Sequence, residues 1–146
     1  MLKVGGSLAG LFSGIVLKRL GHHVRILERN STPVLHNQGA GIVFGAQSQE
    51  YFSKFLTASR DFSITSYLRQ TLDKAGNSIP EFEERYQQKM ISWDLVYYVL
   101  RAEFDGVKSE YIDIPKKRDG EGKTEYEYGC KATTLKDEGD KVVVNL

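Results

Sequence analysis

Near its start the chain reads Gly5-Gly6-Ser7-Leu8-Ala9-Gly10, and that spacing suits one chemistry: holding phosphate oxygens on backbone amides. In such a turn the first glycine lets the chain leave a strand sharply. The middle position brings amides close to a pyrophosphate, and the last glycine lets helix and strand pack tightly. Gly5 and Gly10 match the first and third roles, with Ser7 at the middle one. Serine is small enough to keep that approach open, and its hydroxyl can itself donate to phosphate. The anion would rest at the positive end of the following helix. Gly14 extends the small ridge toward a sheet. Glycines of this kind also serve packing alone, so the turn needs a second group beside it.

Glu28 supplies that group, 23 residues after Gly5. At the carboxyl end of a second strand, a carboxylate accepts from both hydroxyls of an adenosine ribose. It also repels a 2′-phosphate, which argues against NADP at this position. Turn and acid together point to an adenine dinucleotide. Arg101 is a further phosphate candidate, since a guanidinium is a rigid and permanently charged fork. It falls near the edge of an apolar helix face, where the competing reading is a surface pair with Asp105 at i+4. His22 and His23 read as an exposed turn, and nothing pairs with His36. Cys130 falls inside a predicted strand as a small buried hydrophobe. Trp93, Tyr97 and Tyr98 read as core at helical spacing, with bordering a pocket left open.

The elements that must position these residues follow from periodicity. Apolar residues at 8, 11, 12, 15, 16 and 20 make one helix face, and Gly21 sits where a left-handed cap belongs. Residues 1–4 allow a short strand before it and 23–28 a strand after it, the opening of a parallel α/β sheet. Further on, a helix is predicted over 46–56 and a strand over 62–69. Asp73 to Asn77 form a turn leading to a partner strand near 78–79. Ser92 should cap a helix from Trp93 to about Phe104, stopped at Asp105-Gly106. Strands are predicted over 110–114, 125–135 and 141–146, and Lys116 to Lys123 read as a solvated turn between strands.

Composition bounds the rest. The 146 residues carry 20 Lys+Arg against 19 Asp+Glu, a net charge of +1. One domain with one core is the natural reading, and no general electrostatic grip on nucleic acid or an anionic membrane is implied. A single cysteine excludes an internal disulfide framework and a multi-thiolate zinc site. Val4 to Leu17 are uncharged but glycine- and serine-rich, and Lys18-Arg19 interrupt them. Neither a signal peptide nor a membrane span is expected, which makes cytoplasm the default location.

VGGSLAGLFSGIVLKRLGHHVRILER resembles the amino-terminal FAD-binding segment of flavin-dependent aromatic hydroxylases of the para-hydroxybenzoate hydroxylase type. The resemblance continues through QGAGIV, SWDLVYYVLRAEFDG and YGCKATTLKDEGDKVVV, and is nearest to the dihydroxypyridine monooxygenase-like subgroup. It implies a Rossmann-like FAD-binding start with additional, largely β, mixed-sheet elements. Residues 1–146 would form one truncated FAD-binding domain, with 60–91 resembling part of the substrate-domain sheet. By the same resemblance Gly5, Gly6, Ser7, Leu8, Ala9 and Gly10 surround the FAD pyrophosphate. Glu28 holds the adenosine ribose and Arg29 lies beside the adenine. Gly39, Ala40 and Gly41 run near the flavin end, Arg101 reaches the phosphate or ribityl region, and the Ala132 backbone meets the adenine. NADH or NADPH would be the reductant and a small aromatic ring the substrate, with no nucleic acid or membrane partner and a homodimer as an allowed assembly.

The sequence also departs from that pattern. Its first strand is a stump, and Leu146 comes before the family's Asp-Gly and later Gly-Asp segments. Activity of the stand-alone chain is therefore in doubt on this reading. The alternatives are an NAD-binding Rossmann-like domain and a non-enzymatic truncated remnant.

Overall fold

The computed structural model describes residues 1–33, 40–57, 61–80 and 87–146. His36 and Gly39 lie outside them. The chain opens with β1 (Leu2–Val4), leaves through the glycine turn into α1 (Leu8–Arg19) and returns as β2 (Val24–Leu27), parallel to β1 with Lys3 opposite Ile26. Gly21 takes φ +85°, the left-handed position predicted after this helix. There follow β3 (Gly41–Val43), α2 (Ala46–Phe55), β4 (Ile64–Ser66) and β5 (Gln88–Ser92). The chain continues through α3 (Trp93–Asp105), β6 (Thr124–Glu127), β7 (Thr134–Asp137) and β8 (Val142–Asn145).

These strands form a parallel sheet in the order β1-β2-β6, an antiparallel sheet in the order β3-β5-β4, and the hairpin β7-β8. The class is α/β with separate antiparallel sheets. Helix α3 packs against both β5 and β6, joining the antiparallel sheet to the parallel one. Ser92 caps it, its hydroxyl oxygen accepting from the Leu95 amide at 3.4 Å, and Gly106 ends it at φ +76°. Val99, Leu100 and Phe104 of α3 are fully buried, as are Leu11 and Ile15 of α1 and Val24 and Ile26 of β2. Gly14 lets the three elements meet: a Cβ there would lie 3.0 Å from the Phe104 ring and 3.3 Å from Ile26.

Four expectations need correction. The strand predicted over 62–69 is only β4, and its partner is β5. Asp73 does organise the following turn, accepting from the Ala75 and Asn77 amides at 2.8 Å each. A single bridge joins Leu72 to Ser78. Residues 110–114 alternate like a strand but form none, and Ile112 packs on the core instead. The run 125–135 is broken at Gly129, φ +70°, into β6 and β7. The turn over 116–123 is not wholly solvated, because Glu121 points inward with 4% of its side chain exposed.

Glu121 joins a buried ionic cluster that charge counting missed. It pairs with Lys18 Nζ at 3.4 Å and with Arg19. Lys18 also donates to the carbonyls of Glu103 at 2.5 Å and Phe104 at 3.1 Å, near the end of α3. Arg19 donates to the Glu103 carboxylate at 2.5 Å and to the Phe55 carbonyl at 3.1 Å. Removing one member of such a cluster is costly, because it leaves an uncompensated charge buried. Burial, and then the neighbouring Arg19 charge, hold the Lys18 ammonium below its ordinary pKa.

Helix α2 docks through Tyr51, whose ring meets Phe12 edge-on at 4.4 Å and whose hydroxyl donates to the Phe12 carbonyl at 2.6 Å. Burial pushes this phenol above its ordinary pKa, against the pull of Arg19. The folded chain therefore keeps a proton that the unfolded chain loses near pH ~10. Stability from Tyr51 is complete below that pH and is lost above it. Denaturant midpoints measured from about pH 9 to about pH 11 should fall more steeply for the natural chain than for Tyr51→Phe. Parallel slopes would refute this.

Candidate functional site

The parallel pairing brings three chain exits together. β1 ends at the glycine turn, β2 ends at Glu28, and β6 ends at Tyr128, all on one side of the sheet. Gly5 makes the sharp exit at φ +94°, its amide donating to the Leu27 carbonyl at 2.8 Å. Gly10 permits the close approach of the helix, since a Cβ there would fall 2.0 Å from the Gly5 carbonyl oxygen. Ser7 occupies the N-cap without capping the helix through its hydroxyl, and the first turn holds no acidic residue. The amide dipoles of this end are thus not countered from within α1.

Glu28 reaches across to the turn. Its Oε2 accepts from the Gly6 amide at 2.8 Å and its Oε1 from the Asn30 amide at 2.9 Å. The backbone on either side is held too: Glu28 N–H donates to Glu127 O at 2.7 Å, and Cys130 N–H donates to Glu28 O at 2.9 Å. A carboxylate offers about four lone-pair sites, so two remain for donors from outside the chain.

Between these exits lies a cavity of about 500 Å³, within the usual size of small-molecule pockets. Gly5, Gly6 and Ser7 line it from one side, Glu28 and Arg29 from another, and Ala132 from a third. Six of the predicted site residues therefore share one wall-to-wall space. Leu8, Ala9 and Gly10 stand behind it in the first turn of α1. Gly41 is also off its wall, in β3 opposite Ser92.

Arg101 is placed differently from the expectation of a phosphate ligand. It is buried and forks onto Asp105, Nε–Oδ1 3.0 Å and Nη2–Oδ2 2.8 Å. Its Nη1 donates to the hydroxyls of Tyr97, at 2.8 Å, and Tyr128. Its guanidinium carbon sits 3.7 Å from the centroid of the Tyr126 ring. The pairing with Asp105 is the competing reading of the sequence, but in the interior rather than on the surface. Burial opposes the charge, and the Asp105 fork outweighs it, so the net pKa shift is upward.

Sequence reasoning left Trp93 and Tyr97 open as pocket residues and missed the other two aromatic residues of the wall. Tyr126 and Tyr128 line the cavity, as do Trp93 and Tyr97, the last two stacked at 5.4 Å. Their signal was the pairing of β2 with β6, Ile26 opposite Tyr126, which no local pattern announces. Cys130 was misplaced: it is in the loop after β6, half-buried on the cavity wall. His22 and His23 are exposed as expected. Among the described residues no group of His, Cys, Asp or Glu is arranged to hold a metal, and no helix is long and apolar enough to cross a membrane.

Comparison with solved structures places this architecture. The 2,6-dihydroxypyridine-3-hydroxylase of Arthrobacter nicotinovorans matches 98% of this chain with a TM-score of 0.72 at 20% identity. The flavin-dependent monooxygenase PieE, solved with FAD and substrate, matches 98% with a TM-score of 0.68 at 14% identity. Its fold is that of part of a flavin-dependent aromatic hydroxylase. The chain spans 32% of the first of those proteins and 26% of the second. The Diels-Alderase PyrE3 matches 98% as well, with a TM-score of 0.61 at 16% identity, over 28% of its length. The fold alone therefore does not fix the reaction. No family model matches the sequence, and no curated protein does.

Two substitutions test this construction. Gly10→Ala should lower stability by ~2 kcal/mol or more, because the Cβ meets backbone that cannot swing aside. Thermal unfolding reads this directly. Arg101→Met should cost ~3 kcal/mol by urea unfolding, since it strands the largely buried Asp105 carboxylate without its partner. A loss under ~1 kcal/mol would mean that this ion pair adds little.

Proposed function

We propose that the chain binds FAD through its adenosine diphosphate half, as the FAD-binding portion of a flavoprotein monooxygenase acting on a small aromatic or heteroaromatic ring. The observation that carries this reading is the 2.8 Å contact between Gly6 N–H and the Glu28 carboxylate at the edge of the cavity. It joins the amide-lined turn and the ribose-type acid in one site. Gly5 and Gly10 supply the geometry of the turn, and the amides at the start of α1 with the Ser7 hydroxyl face the diphosphate. The remaining lone pairs of Glu28 suit two ribose hydroxyls and disfavour a 2′-phosphate at this position. Arg29 and Ala132 border the adenine end.

The donor set fits that half of the cofactor. When bound, FAD would supply the redox chemistry, with a reduced nicotinamide as hydride source and molecular oxygen as oxygen source. This chain's own part is to bind, orient and shield the dinucleotide.

The test is a titration with FAD and, separately, with NAD. FAD should raise the melting temperature in proportion to its logarithmic concentration, and a flavin band near about 450 nm should follow the protein through gel filtration. Glu28→Ala should weaken FAD binding by about tenfold to a hundredfold. No shift with FAD, or a larger shift with NAD at equal concentration, would overturn the proposal.

A further inference from the structure

Tyr126 stands at an unusual junction. Its hydroxyl donates to the Gly6 carbonyl at 2.9 Å, and a Cβ on Gly6 would fall 2.0 Å from that oxygen. The space left free by the glycine is thus filled by a tyrosine hydroxyl from β6. A second hydroxyl, that of Tyr97, lies 3.3 Å from it. Because the Tyr126 proton goes to a carbonyl, which can only accept, Tyr97 must be the donor to Tyr126. Tyr97 in turn accepts from Arg101 Nη1 at 2.8 Å. The donors therefore run in one direction, from Arg101 to Tyr97 to Tyr126 to Gly6. Such a chain is strengthened by the permanent charge at its head.

The far end of this chain is the Gly6–Ser7 peptide. That unit is planar and trans, so fixing its carbonyl also fixes the Ser7 N–H on the opposite edge. Gly6 N–H is separately held by Glu28. We infer that Tyr126 is a positioning residue for the glycine turn, carrying the orientation imposed by Arg101 to the Gly6–Ser7 peptide that faces the diphosphate. This rests on the dinucleotide reading of the cavity, and its test separates the two.

The variant is Tyr126→Phe, which keeps the ring under Arg101 and removes only the hydroxyl. Affinities for ADP and for adenosine are measured by calorimetry, and backbone N–H order parameters are measured by NMR in the free chain. ADP affinity should fall about five- to tenfold, with adenosine affinity within about twofold of the natural chain, since adenosine has no diphosphate for the turn to hold. The Ser7 N–H order parameter should fall from the rigid range of about 0.85 to below about 0.6, with that at Ile26 unchanged. Unaltered ADP affinity would overturn the inference and leave the dinucleotide reading standing. So would equal losses for ADP and adenosine, the mark of general loosening. If the natural chain binds neither FAD nor ADP, the dinucleotide reading falls, and an unchanged Ser7 N–H order parameter in Tyr126→Phe would then dispose of the pinning as well.

Discussion

A carboxylate and an amide from two neighbouring strand ends hold this site open. The Glu28–Gly6 contact, 2.8 Å long, spans the place where a parallel sheet must release both chains at once. Parallel strands leave the sheet on the same side, so their exits converge, and something must keep those exits from collapsing on one another. Here a charged acceptor takes that part. It satisfies amides that no ladder can reach and still leaves oxygen lone pairs facing the cavity. The rest of the architecture serves this arrangement: Gly5 for the bend, Gly10 for the nearness of α1, and β6 for the third wall.

How much of this was visible in the chain depends on the distance over which each cause acts. The glycine turn, Glu28 and the face of α1 obey local rules of spacing, and the structure gathers them as those rules require. The cap at Ser92 and the stop at Gly106 are equally local. The pairing of β2 with β6 is not, because a four-residue parallel strand has no signature of its own partner. With that pairing hidden, Tyr126 and Tyr128 could not be assigned to the cavity, and Cys130 was given to the interior of a strand. Glu121 was misjudged for a related reason. Its neighbours Lys117, Arg118 and Asp119 make the segment look solvated, whereas its true partners, Lys18 and Arg19, belong to α1.

Arg101, expected to reach a phosphate, is held in the folded chain by partners of its own. Its type and its helix position both suit an oxyanion, and the resemblance to aromatic hydroxylases strengthens that expectation. In the folded chain its five N–H donors are taken up largely by Asp105, Tyr97 and Tyr128. A planar cation under a tyrosine ring is also a favourable contact in itself. The guanidinium is thereby built into the wall behind the cavity, and its influence arrives through hydroxyl groups.

Helix α3 explains why that wall can be rigid. It is buried along most of its length, yet it carries Arg101 and Glu103 as well as Val99, Leu100 and Phe104. Two separate polar clusters form along it: Arg101 with Asp105 and the tyrosines, and Glu103 with Arg19 and Thr57. Apolar contacts alone would tolerate a small rotation or slide of the helix, because one aliphatic side chain packs much like another. Charged partners do not, since a misplaced buried ion loses several kcal/mol at once. The Glu103 cluster thus fixes the register of α3 against α1, and the contacts of Arg101 with Tyr126 and Tyr128 fix it against β6 and the loop that follows, Asp105 being on α3 itself. Trp93 and Tyr97 sit on that same helix, so the register that satisfies the buried charges is also the one that brings the aromatic side of the cavity opposite the glycine turn.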